Sequence, residues 1–432
     1  MLHMMHRCGL DVVAGHLHHG QRSEADAEMS LAEAFCETLG IPFLSGRADV
    51  PRMSKDFGIG LEEAGRRARY AFFDQARHRM ECTHIATAHT SDDNVETVLF
   101  NLTRGSGLGG LRGIPRRRSE IVRPILSFSR SETQAYCEEH GLWTHEDPAN
   151  TDLTFSRARI RLRVIPELEK LNPELRTTVA RLASIVTEED EFLDSAAAAN
   201  LERVILPLNG PLEFLTLHDE VAFDPQTFRE SPPVLALRGI RLAAASLGAE
   251  TERAHALRIW EGLCSQQSGS ETLPGGRLVA EWTKAKLHFR RLEEADPFRH
   301  PITLPGETIA DVFGWQITAF TTEGNQPAND SDNLSVVCDA EKTSGSLYFR
   351  SPNEGERFAP LGMLEPKLIS DLLQERKLTS LARRRLPVVC DFVGPIWIPG
   401  VALAERVRVV DQTAHLLNLK FGPIMGEHAH NE

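Results

Sequence analysis

The stretch His84–Gly113, HIATAHTSDDNVETVLFNLTRGSGLGGLRG, decides how this chain is read. Ile85 to Ala88 is an apolar run of strand length. It is followed by a helical pattern, with Val95, Val98, Leu99 and Leu102 spaced i, i+3, i+4, i+7. Ser91 is placed to cap that helix, and Asp92, Asp93 and Glu96 fall where the helix dipole favours negative charge. Spacings of three and four residues bring the carboxylates together. His89 stands at the strand-to-helix junction, where open α/β sheets bind ligands. Two acids alone would be read as dipole-matching residues on a solvated helix end. Four polar groups at a strand mouth, followed by RGSGLGGLRG, point to a site, and hard carboxylate oxygens suit Mg²⁺.

Outward from this stretch, strand and helix alternate. Val12 to Leu17 reads as a strand, Ala25 to Leu39 as a helix stopped by Gly40, and Ile41 to Leu44 as a second strand. Leu61 to Met80 is a long helix with Leu61, Ala64, Ala68, Phe72 and Ala76 on its buried face. This order predicts an α/β first domain with a Rossmann-like parallel sheet. Ser156 to Leu171 is helical until Pro166 kinks or ends it, and further helix runs from Glu174 to Asn200. Clustered Pro207, Asn209, Gly210 and Pro211 mark a boundary, giving a first domain of 1–206. Residues 207–296 read as a mainly helical middle domain, with helices Val234 to Leu247 and Arg253 to Cys264. A hairpin follows, alternating Leu278, Ala280 and Trp282 against Leu287 and Phe289. Beyond the proline-rich DPFRHPITLPGE, 297–432 reads as an α+β domain. Its strands are placed at Val312–Thr321, Leu347–Arg350, Pro387–Phe392 and Val401–Val410, its helix at Lys367–Glu375, and its frayed end at GEHAHNE.

A length of 432 residues allows about three domains at the usual ~150 residues each. The 41% hydrophobic content is that of a globular chain. No run approaches the ~18 apolar residues of a membrane helix, and no signal peptide is visible. Seven scattered cysteines without a CxxC pair predict a reducing cytoplasm and speak against cysteine-bound zinc or iron–sulfur. The net charge of −13 argues against nucleic acid as a partner, but arginines cluster locally. They gather at Arg112, Arg116, Arg117, Arg118 and Arg123, at Arg157, Arg159, Arg161 and Arg163, and at Arg383, Arg384 and Arg385. Such patches are either polyanion sites or solvated faces. His16, His18 and His19 sit at a strand end with no adjacent carboxylate or cysteine, which disfavours a transition-metal site.

These strings resemble the bacterial tRNA(Ile)-lysidine synthases of the PP-loop ATPase superfamily over nearly the whole length. GHLHHGQR (Gly15 to Arg22) is similar to the strand-end HxxHG element. Glu62, Arg66, Arg69 and Tyr70 carry E-xxx-R-xx-RY, and His89, Asp92, Asp93, Glu96 and Thr97 carry HxxDDxxET. Arg123-Pro124, Asp147-Pro148-Ala149-Asn150, SRARIRLRVIPEL and RSPNEGERFAPLGM resemble later elements, with Ala158 where asparagine is usual and Glu356 where aspartate is usual. The superfamily's SGGxDS phosphate loop does not occur in the sequence. Two expectations follow: a true start some tens of residues upstream, favoured by the intact downstream motifs, or a degraded gene whose product only binds tRNA.

The resemblance implies an ATP- and Mg²⁺-dependent carbon–nitrogen ligase acting on the wobble cytidine of CAU-anticodon tRNA(Ile) with free lysine. It implies catalytic roles for His89, Asp92, Asp93, Glu96 and Arg66, and Mg²⁺ on Asp92, Asp93 and Glu96. ATP contacts fall to His16, His19, Gly20 and Arg69. For Arg66 and Arg69 the alternative is a helix-surface position, with Glu62 and Arg66 paired at i, i+4. Contact with tRNA falls to Arg112, Arg116, Arg117, Arg118, Arg157, Arg161, Arg383, Arg384 and Arg385. The rival within the superfamily is a tRNA thiolase, which the missing CxxC pairs disfavour.

Overall fold

Two separate parallel strand pairs form the β-layer of the first unit. Ala14–His18 runs parallel to Phe43–Arg47, with the helix Ala25–Leu39 as crossover. Ile85–Ala86 runs parallel to Ile121–Val122 after the helix Ser91–Thr103, and Arg117–Arg118 adds to it antiparallel. The strands are therefore parallel, as the alternation predicts, but they make two sheets where one is expected. Among the described residues no strand joins the free edges of Ala14–His18 and Ile85–Ala86. Both edges line a groove of about 740 Å³, together with Met1, Leu2 and Met5 and with Phe73, Ala76 and Met80. The computed structural model describes residues 1–19, 25–144, 153, 155–292, 297–324, 332–363 and 365–424. The expected GEHAHNE tail lies outside them.

The chain packs as two units, Met1–Glu191 and Phe192–Glu432. In the first, Val95, Val98 and Leu99 are buried against Ile160, Ile165, Val179 and Ala183. Leu102, predicted on the same face, is 58% exposed, because the stripe drifts off the packed side at the helix's last turn. Leu61 is likewise exposed at its helix end, while Ala64 and Ala68 are buried as expected. The segment after Ser156 does not kink at Pro166. It is α-helical over Ser156–Arg159, widens into a π-turn over Ile160–Val164, and resumes at Ile165–Leu171. Pro166 then stands in the first turn of the resumed helix, where its missing N–H costs little.

The second unit holds two cores. In one, the helices Pro233–Ser246 and Arg253–Cys264 pack on a five-stranded antiparallel sheet that contains the predicted hairpin, Leu287 opposite Trp282. Its strands Glu220–Phe223 and Gly269–Thr272 were not legible as such in the sequence. The other core lies between two antiparallel sheets and includes Trp315, Phe349, Trp397 and Phe421, all 0–2% exposed. The expected strand Val401–Val410 is only Ala402–Leu403, followed by a 3₁₀ turn at Glu405–Val407. The expected helix from Lys367 begins at Ile369, after a two-residue strand. The longest partner in this half, His415–Pro423, pairs with both Trp315–Glu323 and Ser335–Asp339. Its buried alternation of Leu417, Leu419 and Phe421 was the available signal.

Candidate active site

The helix Ser91–Thr103 is capped by Thr90, one residue earlier than the sequence suggests. Asp93 accepts from the Thr90 backbone N–H at 2.8 Å and from its hydroxyl at 2.9 Å. Thr90 followed three residues later by an acid makes a reciprocal capping pair; Ser91 followed by Asn94 lacks that acid. Asn94 and Asn101, on the same helix, tie down the glycine-rich loop. Asn94 accepts from the Ile114 N–H at 2.6 Å, and Asn101 donates to the Gly110 carbonyl at 2.8 Å. Gly113 has φ +70° and lies so close to Asn94 that a Cβ would collide with it.

The three carboxylates of this helix are inward-facing and meet three arginines from other segments. Glu96 is 1% exposed and takes a two-point grip from Arg161, Nε to Oε1 at 2.5 Å and Nη2 to Oε2 at 2.8 Å. Arg161 also lies 3.7 Å from Asp93, and Arg130 donates to Asp93 at 3.4 Å. Asp92 accepts from the Arg130 backbone N–H at 2.7 Å and from the Arg176 guanidinium. Glu169 holds the other side of Arg176 at 2.7 Å. Nothing in local spacing announces Arg130 or Arg176, which reach Asp92 across 38 and 84 residues.

This arrangement does not fit a resident Mg²⁺ on Asp92, Asp93 and Glu96. Their oxygens already face guanidinium groups and the helix cap, and a cation among those guanidinium groups would be repelled. Among the described residues no group of three or more His, Cys, Asp or Glu is placed to hold a metal. The magnesium assignment made from sequence is corrected accordingly.

Beside this network stands His89, its Nδ1 3.0 Å from the Thr87 hydroxyl. Burial pushes its pKa down, and the charges of Arg123, Arg157 and Arg66 push it further, against the opposing pull of Asp93. The imidazole is thus held neutral at neutral pH. Arg123 is 7% exposed; its Nη1 donates to the Pro115 carbonyl at 2.7 Å, and its Nε has no hydrogen-bond partner. Among the described residues no carboxylate pairs with it. A buried guanidinium without a counter-charge is costly unless an anion completes it. Three arginines converging on His89 make a pocket suited to a polyanion.

Other predicted residues are distributed around this centre. Arg66 lies over the Tyr70 ring at 5.3 Å, and Arg69 meets His19 at 3.3 Å. His16 instead stacks toward Phe43 at 6.5 Å between centroids, and burial lowers its pKa. Gly20, Arg22 and the Asp147-Pro148-Ala149-Asn150 element lie outside the described residues. Arg116, Arg117 and Arg118 are exposed. Arg112 is occupied by Asp190 at 3.2 Å and Glu191 at 2.8 Å, and Arg385 by Asp219 at 2.6 Å. With Arg161 on Glu96, these three face carboxylates and not open surface. Arg384 is exposed, and Arg383 donates to the Leu378 carbonyl.

Comparison with known proteins matches residues 1–168 to the PP-loop domain and residues 346–419 to the TilS substrate C-terminal domain. The tRNA(Ile)-lysidine synthase of Clostridium tetani is 29% identical over 440 residues, covering 97% of this chain and 91% of that one. That of Caldanaerobacter subterraneus subsp. tengcongensis is 27% identical, covering 95% and 86%. That of Geobacillus kaustophilus is 29% identical, covering 91% and 85%. A crystal structure of a TilS C-terminal domain aligns at 21% identity with a TM-score of 0.28, over 30% of this chain and 100% of that one.

Proposed function

As the chain belongs to the tRNA(Ile)-lysidine synthase family, we propose that it joins lysine to the wobble cytidine of tRNA(Ile) bearing a CAU anticodon, at the cost of ATP. The cytidine C2 oxygen attacks the α-phosphorus of ATP; an O–P bond forms and the bond to pyrophosphate breaks. The amine of lysine then attacks C2, a C–N bond forms, the C–O bond to AMP breaks, and the amine gives up a proton.

The observation that carries this reading is the cationic pocket at His89. Both steps gather negative charge on phosphate oxygens, which fixed guanidinium groups stabilise without reorganising. Arg123, Arg157 and Arg66 supply those groups, and Arg69 with His19 extends them. His89 is kept neutral beside them and serves as acceptor for the proton the amine releases. Asp92, Asp93 and Glu96 act by holding this frame together.

The test is incubation with a CAU-anticodon tRNA(Ile) transcript, ATP and radiolabelled lysine. Label entering tRNA only when ATP is present is the expected result. Tight tRNA binding with neither incorporation nor tRNA-dependent AMP formation would reduce the protein to a tRNA binder.

A further inference from the structure

In the second unit a turn at Asp391–Gly394 holds two apolar side chains out in water. Phe392 is 86% exposed and Val393 68%. The turn beneath them is built at a cost. Asp391 is fully buried, and its carboxylate accepts from the backbone N–H groups of Val393 and Gly394, both at 3.0 Å, and of Ser344 at 2.9 Å. Arg406 closes on the same carboxylate at 2.6 and 3.0 Å and donates to the Gly394 carbonyl at 2.8 Å. The Phe392 N–H itself donates to the Ser344 carbonyl at 2.8 Å. A buried ion pair with this many bonds makes a rigid pedestal, yet it packs neither side chain it presents.

The surroundings indicate the occupant. Lys342 donates to the Arg408 carbonyl at 2.7 Å, which places both chains next to the Ser344 side of the turn. Asp339, the partner of Lys342, is 3% exposed, so its charge lies inside while the cation reaches the surface. Arg408 is 59% exposed and faces Glu405 at 3.5 Å. A rigid aromatic side chain flanked by Lys342, Arg406 and Arg408 matches how single-stranded or terminal bases are held: the ring stacks and the cations take the phosphates on either side. The turn also lies within residues 346–419, the stretch matched to the substrate C-terminal domain.

We infer that the Phe392–Val393 turn is a stacking contact for a base of the substrate tRNA, with Lys342 and Arg408 on the flanking phosphates. The inference rests on the function proposed above. It is tested by fluorescence anisotropy with a labelled tRNA(Ile) transcript. Because Phe392 is exposed, F392A leaves the fold intact. F392A weakens binding about tenfold at every salt concentration, while F392W stays within about twofold of the unmodified protein. K342A and R408A instead each lower the slope of log K against log salt by about 1. Unchanged affinity in F392A overturns the inference. So does an F392A protein that binds tRNA normally but has lost self-association, which would make the turn a contact between copies. Failure of the unmodified protein to bind tRNA would overturn the proposed function itself, which separates the two.

Discussion

Arg161 and Glu96 form a two-point ion pair at a carboxylate that is 1% exposed. One partner lies on the helix that follows His89, the other in the π-turn Ile160–Val164. Removing one side leaves a buried charge uncompensated, which costs about 3–5 kcal/mol. E96A and R161M should each destabilise by that order in urea unfolding followed by circular dichroism. The double variant E96L/R161M should recover most of the loss. A double variant as unstable as the sum of the singles would show that the two residues are not coupled.

His89 gives a second expectation. Its pKa is lowered by burial and then by Arg123, Arg157 and Arg66. A bound polyphosphate would neutralise those cations and favour the charged imidazole, so its pKa should rise when ATP is added. NMR titration of the ring protons, with and without ATP, measures this directly. A downward shift, or none, would place the nucleotide elsewhere.

Glu220 predicts a pH dependence for the second unit. Burial opposes its charge, but hydrogen bonds from His288, Thr379, Asn209 and Thr216 outweigh that and bring its pKa to about 2. Its folded pKa lies below the unfolded one, near 4.5. The stabilisation is therefore present above pH 4.5 and lost as pH falls toward 2, and the full shift corresponds to about 3 kcal/mol. The urea midpoint of the wild-type chain should fall between pH 6 and pH 3. E220Q should start lower and lose less over that interval; an equal loss would exclude Glu220 as the source.

The arginines sort into two kinds. Arg117 and Arg118 are exposed, so R117A and R118A should weaken tRNA binding and lower its salt slope by about 1 each. Arg112 is held by Asp190 and Glu191. R112A should lower thermal stability and leave the salt slope unchanged. A flattened slope in R112A would show that it releases its carboxylates to meet phosphate.

Period and punctuation carried much of this protein into view from sequence. The helix over Ser91–Thr103, the hairpin around Thr283–Lys286 and the parallel strand order follow from local patterns that burial makes nearly obligatory. The motif strings led to the family for the same reason: the residue types and spacings that chemistry demands stay together in short segments. What tertiary structure alone decided is the pairing of charges. An acidic cluster at a helix start reads as a metal site until Arg130, Arg161 and Arg176 arrive from 37 to 84 residues away and occupy it. An arginine string reads as an RNA patch until Asp219 or Asp190 claims its members. A charge acts through space over several ångströms in a low-dielectric interior, so its role depends on partners that sequence distance does not reveal.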